Sequence, residues 1–321
     1  MGDAPLTVVA VTYRAEDELL RVQARSLASF APPGLIERII VIDNGLPRLH
    51  GRRRAALLRD YGHLADLVRI IPADALAATE GSSGWVGQQV MKLTVADHVE
   101  TPWYVVLDAK NHAVRPLVPT DLIGPDGRAR GGFHDYAAHP LRDRLGVTLR
   151  YLGLDESATT RFPPTSTPFV LHTQTVRDLT ASFDGAFAEE FIRAGLSEFF
   201  LYSGWILRRD GDWDRVYDGV AIQCPTLWGG AASTAGITAA LDELSAKDAP
   251  FFGVHRRALG RLSASDFALI AAFWVQTGLM RSLAEARRLR RRFRRDLALS
   301  LLRTRLRSLT ASLRPGAGHR G

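Results

Sequence analysis

The sequence predicts an α/β fold in which a mostly parallel β-sheet is flanked by helices. Four short apolar runs, rich in β-branched residues, are predicted to be strands: 6–13, 38–43, 67–72 and 103–109. Two of the segments between them, 17–30 and 84–99, carry apolar residues at helical spacing. Buried strands that alternate with helices are typical of a parallel sheet, and ligands of such sheets bind outside the carboxyl ends of the strands.

The regular alternation ends near residue 124. Residues 124–167 are rich in Gly, Pro, His and Arg and are predicted to form loops with short elements. A further strand is predicted at 167–176, followed by one or two helices within 186–207. Two later segments, 219–229 and 250–257, are predicted to be short strands or extended loops. We therefore expect one domain over residues 1–280, followed by a basic helical tail over residues 281–321.

The positive charge of the chain is concentrated in this tail. The formal net charge is +7, but residues 281–321 hold 13 Arg and two acidic residues, a net charge of +11, which leaves −4 for residues 1–280. Leucines and other apolar residues recur every three to four positions among the arginines, as in a basic amphipathic helix. Such a helix could bind an anionic membrane surface, pack on the domain or contact another chain. Nucleic acid is disfavoured as a partner, because aromatic residues do not alternate with the charges and no known motif is present.

The cysteine content and the apolar segments argue against a disulfide-bonded, a secreted or a membrane-spanning protein. The single cysteine, Cys224, cannot form an internal disulfide, and no CxxC metal motif is present, which fits a reducing, cytoplasmic location. The amino terminus has no basic residue ahead of its apolar run, so we expect a strand there and no signal peptide. The longest apolar tract, 267–280, is too short to span a bilayer.

A cluster of polar residues follows the fourth predicted strand, in the sequence WYVVLDAKNH. Asp108 ends the apolar run, and Lys110 and Asn111 come directly after it. A carboxylate at the carboxyl end of a strand is well placed to hold a divalent cation beside a diphosphate. Lysine cannot ligate a cation while it is protonated, but it can pair with a phosphate as a point charge.

Two helical segments carry further candidate residues. In GWVGQQVMKL, Trp85, Gln89 and Lys92 share one helical face beside Gln88, and this face could contact a ribose or phosphate. The alternative is a solvated face whose Trp packs under a loop. In the second segment, Glu198 lies among aromatic residues, where it could serve as a base for an acceptor hydroxyl. A loop segment, 131–144, adds mixed donors and acceptors that fit recognition of the acceptor: His134, Asp135, Tyr136, His139 and Arg142.

The chain resembles glycosyltransferases of the GT-A type, which use nucleotide sugars. The opening VVAVTYRAEDELLRVQARSL and the later IIVIDNG are similar to the first two strands of that fold. The combination of GWVGQQVMKL, WYVVLDAKNHAVRP and SEFFLYSGWI resembles a bacterial family of GT-A-like transferases, over residues 5–260. The resemblance implies a GT-A-like, Rossmann-like sheet and transfer of a sugar from a nucleotide donor.

The resemblance also implies roles for individual residues. Thr12 and Tyr13 end the first strand, where such enzymes hold the nucleotide, and Asp43 ends the second, where an acidic residue contacts the base. Asp108 stands where the metal-binding Asp-x-Asp motif begins. Glu198 corresponds to the general base of inverting members, and His255 to a late histidine that completes the metal shell. This chain departs from the motif at its third position, because Lys110 replaces the second Asp.

Two arrangements of the diphosphate site follow from that departure. In one, Asp108, Asn111 and His255 bind Mn²⁺ or Mg²⁺. In the other, Lys110 takes over part of the cation's role by pairing with the diphosphate. A third interpretation is structural: Asp108 pairs with Lys110 and both only close the end of the strand.

The sequence as a whole predicts a glycosyltransferase that moves a sugar from a nucleotide-diphosphate sugar to a hydroxyl acceptor. We expect the acceptor to be a cell-envelope glycan or a lipid-linked saccharide and the enzyme to act at the inner membrane face. One alternative is a catalytically degenerate domain that binds a glycan or a partner. Another is a nucleotidyltransferase, although the sequence after the first strand, TYRAEDELL, lacks the glycine-rich loop that grips a triphosphate.

Overall fold

The central element of the structure is a five-stranded sheet. The computed structural model describes residues 5–77 and 84–312, with side chains as far as residue 302. The strands of this sheet are β1 (Leu6–Thr12), β2 (Ile36–Asp43), β3 (Val68–Pro72), β4 (Trp103–Val106) and β6 (Phe169–His172). Their order is β3-β2-β1-β4-β6, with the first four parallel and β6 antiparallel to β4. The prediction of a mostly parallel sheet is thus confirmed.

A second, three-stranded sheet lies beyond the end of β4. It has the order β5-β8-β7, formed by β5 (Asn111–Ala113), β7 (Thr226–Leu227) and β8 (Phe251–Val254). β5 runs antiparallel to β8, and β7 runs parallel to it. Because only four residues separate β4 from β5, the chain turns sharply between the two sheets. This turn contains Asp108 and Lys110.

Helices cover both sheets. They are α1 (Asp17–Phe30), α2 (Gly51–Tyr61), α3 (Gly84–Thr94), α4 (Arg142–Leu152), α5 (Thr173–Ala181), α6 (Phe187–Arg193), α7 (Glu198–Asp210), α8 (Thr234–Ala246), α9 (Arg256–Arg261), α10 (Ala264–Gln276) and α11 (Leu283–Ser312). None of the helices in the described part of the chain combines the length and apolarity needed to cross a bilayer. The core is continuous, and β1 and most of β2 are buried on both faces, as their uninterrupted apolar runs predict.

The predicted strand over 167–176 is wrong in its second half, because helix α5 begins at Thr173. The backbone N–H of Thr173 donates to the carbonyl oxygen of Pro102 at 2.9 Å, and its hydroxyl donates to that of Thr101 at 2.7 Å. These long-range bonds end the strand although the local sequence, TQTV, is rich in β-branched residues. Helix α4 likewise lies within the segment predicted as loops.

The first turns of α11 belong to the hydrophobic core. Ala286, Leu289 and Phe293 are buried, and the guanidinium of Arg292 donates to both carboxylate oxygens of Glu18 on α1, at 2.7 and 2.9 Å. This part of the basic helix therefore packs on the domain, which was one of the three predicted roles. The predicted boundary at residue 280 separates two segments of different charge, but no break in packing occurs there.

His112 connects β5 to α10 through a buried hydrogen bond. Its Nε2 accepts from the indole N–H of Trp274 at 3.0 Å, and the residue is 1% exposed. Burial lowers the pKa of His112 to about 4. Since the pKa is lower in the folded chain than in the unfolded one, the neutral ring stabilises the fold above pH 6.5. That stabilisation is lost as the pH falls from 6.5 towards 4.

We therefore expect acid to destabilise the protein partly through His112. Between pH 7 and pH 5 this group should lower the free energy of unfolding by about 2 kcal/mol. Urea unfolding of the wild type and of His112→Gln at the two pH values measures it, with the exposed His63→Gln as control. Between pH 7 and pH 5 the control should lose as much free energy of unfolding as the wild type, and His112→Gln should lose less. An equal loss in His112→Gln would contradict the role given to His112.

Candidate active site at the carboxyl edge of the sheet

A tight turn presents the polar cluster that follows β4. The side-chain oxygen of Asn111 accepts from the backbone N–H of Asp108 at 2.9 Å, and the backbone N–H of Asn111 donates to the carbonyl oxygen of Asp108 at 2.9 Å. From α1, the amide of Gln23 donates to the carbonyl oxygens of both residues, at 2.7 and 2.9 Å. The turn is thus fixed from two sides, and it holds the side chains of Asp108 and Lys110 at the edge of the sheet.

One carboxylate bridges two ammonium groups at this turn. Lys92, from α3, lies with its Nζ 3.0 Å from Oδ1 of Asp108, and the Nζ of Lys110 contacts Oδ2. Burial alone would raise the pKa of Asp108, but Lys110 and Lys92 outweigh it and hold that pKa well below its ordinary value. Asp108 is therefore ionised at every pH at which the protein would be used.

Glu198 joins the cluster as the first residue of α7. Its Oε1 lies 3.1 Å from the Nζ of Lys92, and its side chain is 9% exposed. Burial alone would lower the pKa of Lys92, but Asp108 and Glu198 outweigh it and raise that pKa above its ordinary value. A helix N-terminus also favours a negative charge at this position. The structure thus brings together four predicted site residues: Lys92, Asp108, Lys110 and Glu198.

These residues line a cavity of about 510 Å³ outside the carboxyl ends of the parallel strands. Sites for small ligands usually have volumes of ~300–1,000 Å³. The wall includes the whole predicted face of α3, namely Trp85, Gln88, Gln89 and Lys92. Gln89 is 1% exposed, and both polar atoms of its amide lack a hydrogen-bond partner among the described residues. Contact of this face with a nucleotide stays a prediction, and the unpaired amide is an additional reason to expect a polar ligand.

The cavity has aromatic side chains at two places on its rim. The ring of Trp85 is 54% exposed and lies 4.5 Å from the guanidinium carbon of Arg144, and the ring of Trp228 is 51% exposed and lies 5.6 Å from Nζ of Lys110. Exposed aromatic faces beside charged groups suit the apolar faces of sugars. A second cavity, of about 580 Å³, adjoins the first and shares five lining residues with it, among them Thr167 and Trp228.

The remaining predicted nucleotide contacts lie at or outside the edge of the cavity. Thr12 is fully buried. The hydroxyl of Tyr13 accepts a hydrogen bond from the guanidinium of Arg256. The same guanidinium donates to Oε1 of Glu16 at 3.0 Å. The carboxylate of Asp43 accepts from the backbone N–H groups of Gly45 at 3.0 Å and Leu49 at 2.5 Å, which closes the loop after β2.

The predicted ligand Asn111 does not fit a metal site. Its oxygen accepts from Asp108 N–H and from the hydroxyl of Thr167 at 2.7 Å, which uses both lone pairs, and the residue is fully buried. Its amide nitrogen donates to Thr167 O and Cys224 Sγ, at 3.2 and 3.3 Å. Asn111 is a structural residue of the turn. Asn111 lies three positions after Asp108, a spacing at which an amide side chain can bond the backbone of a turn, and this signal could have identified it.

The predicted ligand His255 lines the same cavity, with its ring 5.3 Å from that of Trp228. Its Nδ1 accepts from the backbone N–H of Arg257 at 3.3 Å. Burial, and then the charges of Lys110 and Arg257, lower the pKa of His255 to about 4. The ring is therefore neutral at pH 7.

The site as a whole does not fit Mn²⁺ or Mg²⁺. Both oxygens of Asp108 bind ammonium groups, so a cation placed there would lie against two positive charges. Across residues 5–77 and 84–312, no group of three His, Cys, Asp or Glu side chains is arranged to hold a metal ion. The observed pairing of Asp108 with Lys110 is compatible with both other interpretations, one in which lysine supplies the positive charge and one in which the pair only closes the end of the strand.

Several residues at the site were not singled out from the sequence. In the loop segment 131–144 the predicted arginine was Arg142, whereas Arg144 is the one that lines the cavity. The structure exposes Arg142 and turns Arg144 to the cavity, because α4 begins at Arg142 and successive helical residues face different directions. His134, Tyr136 and His139, which the sequence did offer as candidates in the same segment, line the cavity as well. Trp228 and Arg256 lie within the segments 219–229 and 250–257, which were predicted to be short strands or extended loops, and neither residue was assigned a role there.

The architecture resembles that of solved glycosyltransferases. The galactosyltransferase LgtC, in complex with donor and acceptor sugar analogues, superimposes with a TM-score of 0.50 at 11% identity, over 85% of this chain and 95% of that chain. The apo bifunctional glycosyltransferase WbbM matches at 12% identity with a TM-score of 0.45, over 78% of this chain and 46% of that chain. The likeness to LgtC shows that this chain has the GT-A fold.

Sequence comparison gives a family and no curated relative. No curated protein is a significant match to the chain. Residues 6–228 match the model of DUF6492, a family of unknown function. This match spans the central sheet and the residues of the cavity other than His255 and Arg256. The chain belongs to the DUF6492 family.

Proposed function

We propose that the protein is a glycosyltransferase that moves a sugar from a nucleotide-diphosphate sugar to a hydroxyl acceptor. The observation that carries this proposal is the placement of Glu198, Lys92 and Lys110 on one wall of the cavity at the carboxyl edge of a GT-A sheet. The cavity thus combines a carboxylate that can accept a proton with ammonium groups that can bind a diphosphate. A GT-A fold alone would not specify this chemistry.

In the proposed reaction, the bond between the anomeric carbon of the sugar and the β-phosphate oxygen breaks. Its electron pair leaves with the nucleoside diphosphate, beside the ammonium groups of Lys92 and Lys110. The acceptor oxygen forms the new bond to the anomeric carbon, and its proton passes to Glu198. Because Lys92 contacts Oε1 of Glu198, Oε2 is left to accept this proton.

We further propose that the acceptor is a saccharide of the cell envelope or one linked to a lipid, used at the inner membrane face. The last part of α11 supports membrane proximity, because Leu301 and Leu302 are exposed, by 57% and 54%, next to arginine-rich sequence. A basic helix with exposed leucines can bind an anionic lipid surface. Its first turns pack on the domain and would hold the catalytic cavity close to that surface.

Turnover of nucleotide sugars tests the proposed function. The full-length protein is incubated with UDP-, GDP-, CDP- and dTDP-sugars, with and without saccharide acceptors, and release of the nucleoside diphosphate is measured. We expect release from one class of donor, and faster release when an acceptor is present. Binding of a nucleoside diphosphate without any turnover would favour the non-catalytic alternative. If the protein showed no binding of any nucleoside diphosphate and no turnover of any donor, the proposal would be contradicted.

A further inference from the structure

We propose that Lys92 and Lys110 take the place of a divalent cation in this site and bind the diphosphate directly, with Asp108 as their internal counter-ion when no ligand is bound. This inference rests on the proposed function and specifies how the same site recognises its donor. It gives Asp108 a role opposite to that of a metal ligand, because its charge competes with the diphosphate.

The use of lysine in this chain is the first argument. The 41 basic residues include only three lysines, and two of them contact the same carboxylate. Elsewhere the chain uses arginine for almost every positive charge. Lysine differs from arginine in having a compact ammonium group, which acts as a point charge with three donors of free orientation. A pair of such charges resembles a cation more closely than two planar guanidinium groups would.

The two lysines have more hydrogen-bond donors than their partners in the protein use. Each ammonium group has three N–H donors. For Lys92, Asp108 and Glu198 account for two of them; for Lys110, Asp108 and the hydroxyl of Thr167, at 2.9 Å, account for two. One donor of each lysine is then left for a ligand, and both lysines line the cavity. Two oxygens of a diphosphate would satisfy them.

The two lysines are also held in a rigid setting. Both residues are at most 8% exposed, and their ammonium groups lie 5.1 Å from the ring centre of Phe199 and 5.6 Å from that of Trp228. Side chains held in this way lose little conformational entropy when they bind a phosphate. Two fixed positive charges can therefore stabilise the negative charge that develops on the leaving diphosphate.

The charge of Asp108 separates binding by lysine from binding by a metal ion. Its carboxylate neutralises one of the two ammonium charges, so it weakens the attraction of the pair for an incoming diphosphate. Removing the charge of Asp108 should strengthen diphosphate binding. If Asp108 instead held a metal ion between protein and diphosphate, the same substitution would abolish metal-dependent binding.

The test is titration calorimetry of UDP, GDP, CDP, ADP and dTDP against the full-length protein, in EDTA and in Mn²⁺. The variants are Asp108→Asn and Lys110→Met, each of which keeps the approximate size of the side chain. Lys247→Met is the matched control, because Lys247 is the third lysine and pairs with Glu243 at the exposed end of α8. Lys247 lines the second cavity and not the one that holds Lys92 and Lys110. Circular dichroism and thermal unfolding establish that each variant is folded.

We expect at least one nucleoside diphosphate to bind the wild type with the same affinity, within threefold, in EDTA and in Mn²⁺. Lys110→Met should weaken binding by about tenfold or more, as expected for the loss of a hydrogen bond from a charged donor. Asp108→Asn should bind as tightly as the wild type or more tightly, and Lys247→Met should equal the wild type.

Three results would overturn the inference and leave the proposed function in place: binding that requires Mn²⁺, a loss of tenfold or more in Asp108→Asn, or unchanged binding in a folded Lys110→Met. Absence of binding by the wild type to every nucleoside diphosphate, in EDTA and in Mn²⁺, would overturn the proposed function and the inference together.

Discussion

Replacing Glu198 by Gln is expected to lower the rate of sugar transfer by about 10²- to 10⁴-fold, the usual contribution of a general base. Gln keeps the size of the side chain and an oxygen that can accept from Lys92, but it cannot take the acceptor proton. Binding of the nucleoside diphosphate should stay within a few-fold of the wild type, because Glu198 itself is not expected to contact the phosphates. Rates of nucleoside diphosphate release and calorimetric affinities separate the two effects.

The control for Glu198 is Glu189→Gln, an exposed carboxylate on α6. It should retain the activity of the wild type. Full activity in Glu198→Gln would remove Glu198 from the mechanism. A parallel loss of nucleotide affinity and activity would mean that Glu198 acts by holding Lys92 and does not act as a base.

Replacing Phe293 by Ala is expected to lower the free energy of unfolding by about 3–5 kcal/mol, the usual cost of removing a buried aromatic side chain. Phe293 is fully buried between α11 and the domain, so the substitution leaves a cavity in the continuous core. Chemical denaturation of the full-length protein measures the change.

Leu301→Ala is the matched control on the same helix, because Leu301 is 57% exposed. It should change the free energy of unfolding by no more than about 0.5 kcal/mol. If Phe293→Ala were equally mild, α11 would not be part of the domain's core. The basic segment would then be free to serve membrane binding along its whole length.

The sheet could be predicted because its strands are uninterrupted apolar runs. β1 and β2 lie in the interior of the sheet and are buried on both faces, so nearly every residue is apolar and the local sequence is sufficient. The second sheet depends on long-range pairing. Asn111–Ala113 forms a strand only because it pairs with Phe251–Val254, and three residues carry no periodic signal of their own.

The members of the site could be predicted one at a time, but their contacts could not. Asp108, Lys92 and Glu198 each stood out as a chargeable residue in an unusual setting. Lys92 contacts the carboxylates of both Asp108 and Glu198 only because α3 and α7 pack against the end of β4. Asn111 was misassigned for the same reason, since sequence does not show whether an amide oxygen is already used by Thr167.

The most direct test of the account is a crystal structure of the full-length protein with the nucleoside diphosphate that binds most tightly, grown in EDTA. The account predicts phosphate oxygens within hydrogen-bond distance, about 2.7–3.2 Å, of Nζ of both Lys92 and Lys110, with the base and ribose along the cavity wall and Glu198 facing the open space beside the β-phosphate. Phosphates found elsewhere, for example against the arginines between α1, α2 and α11, would contradict it.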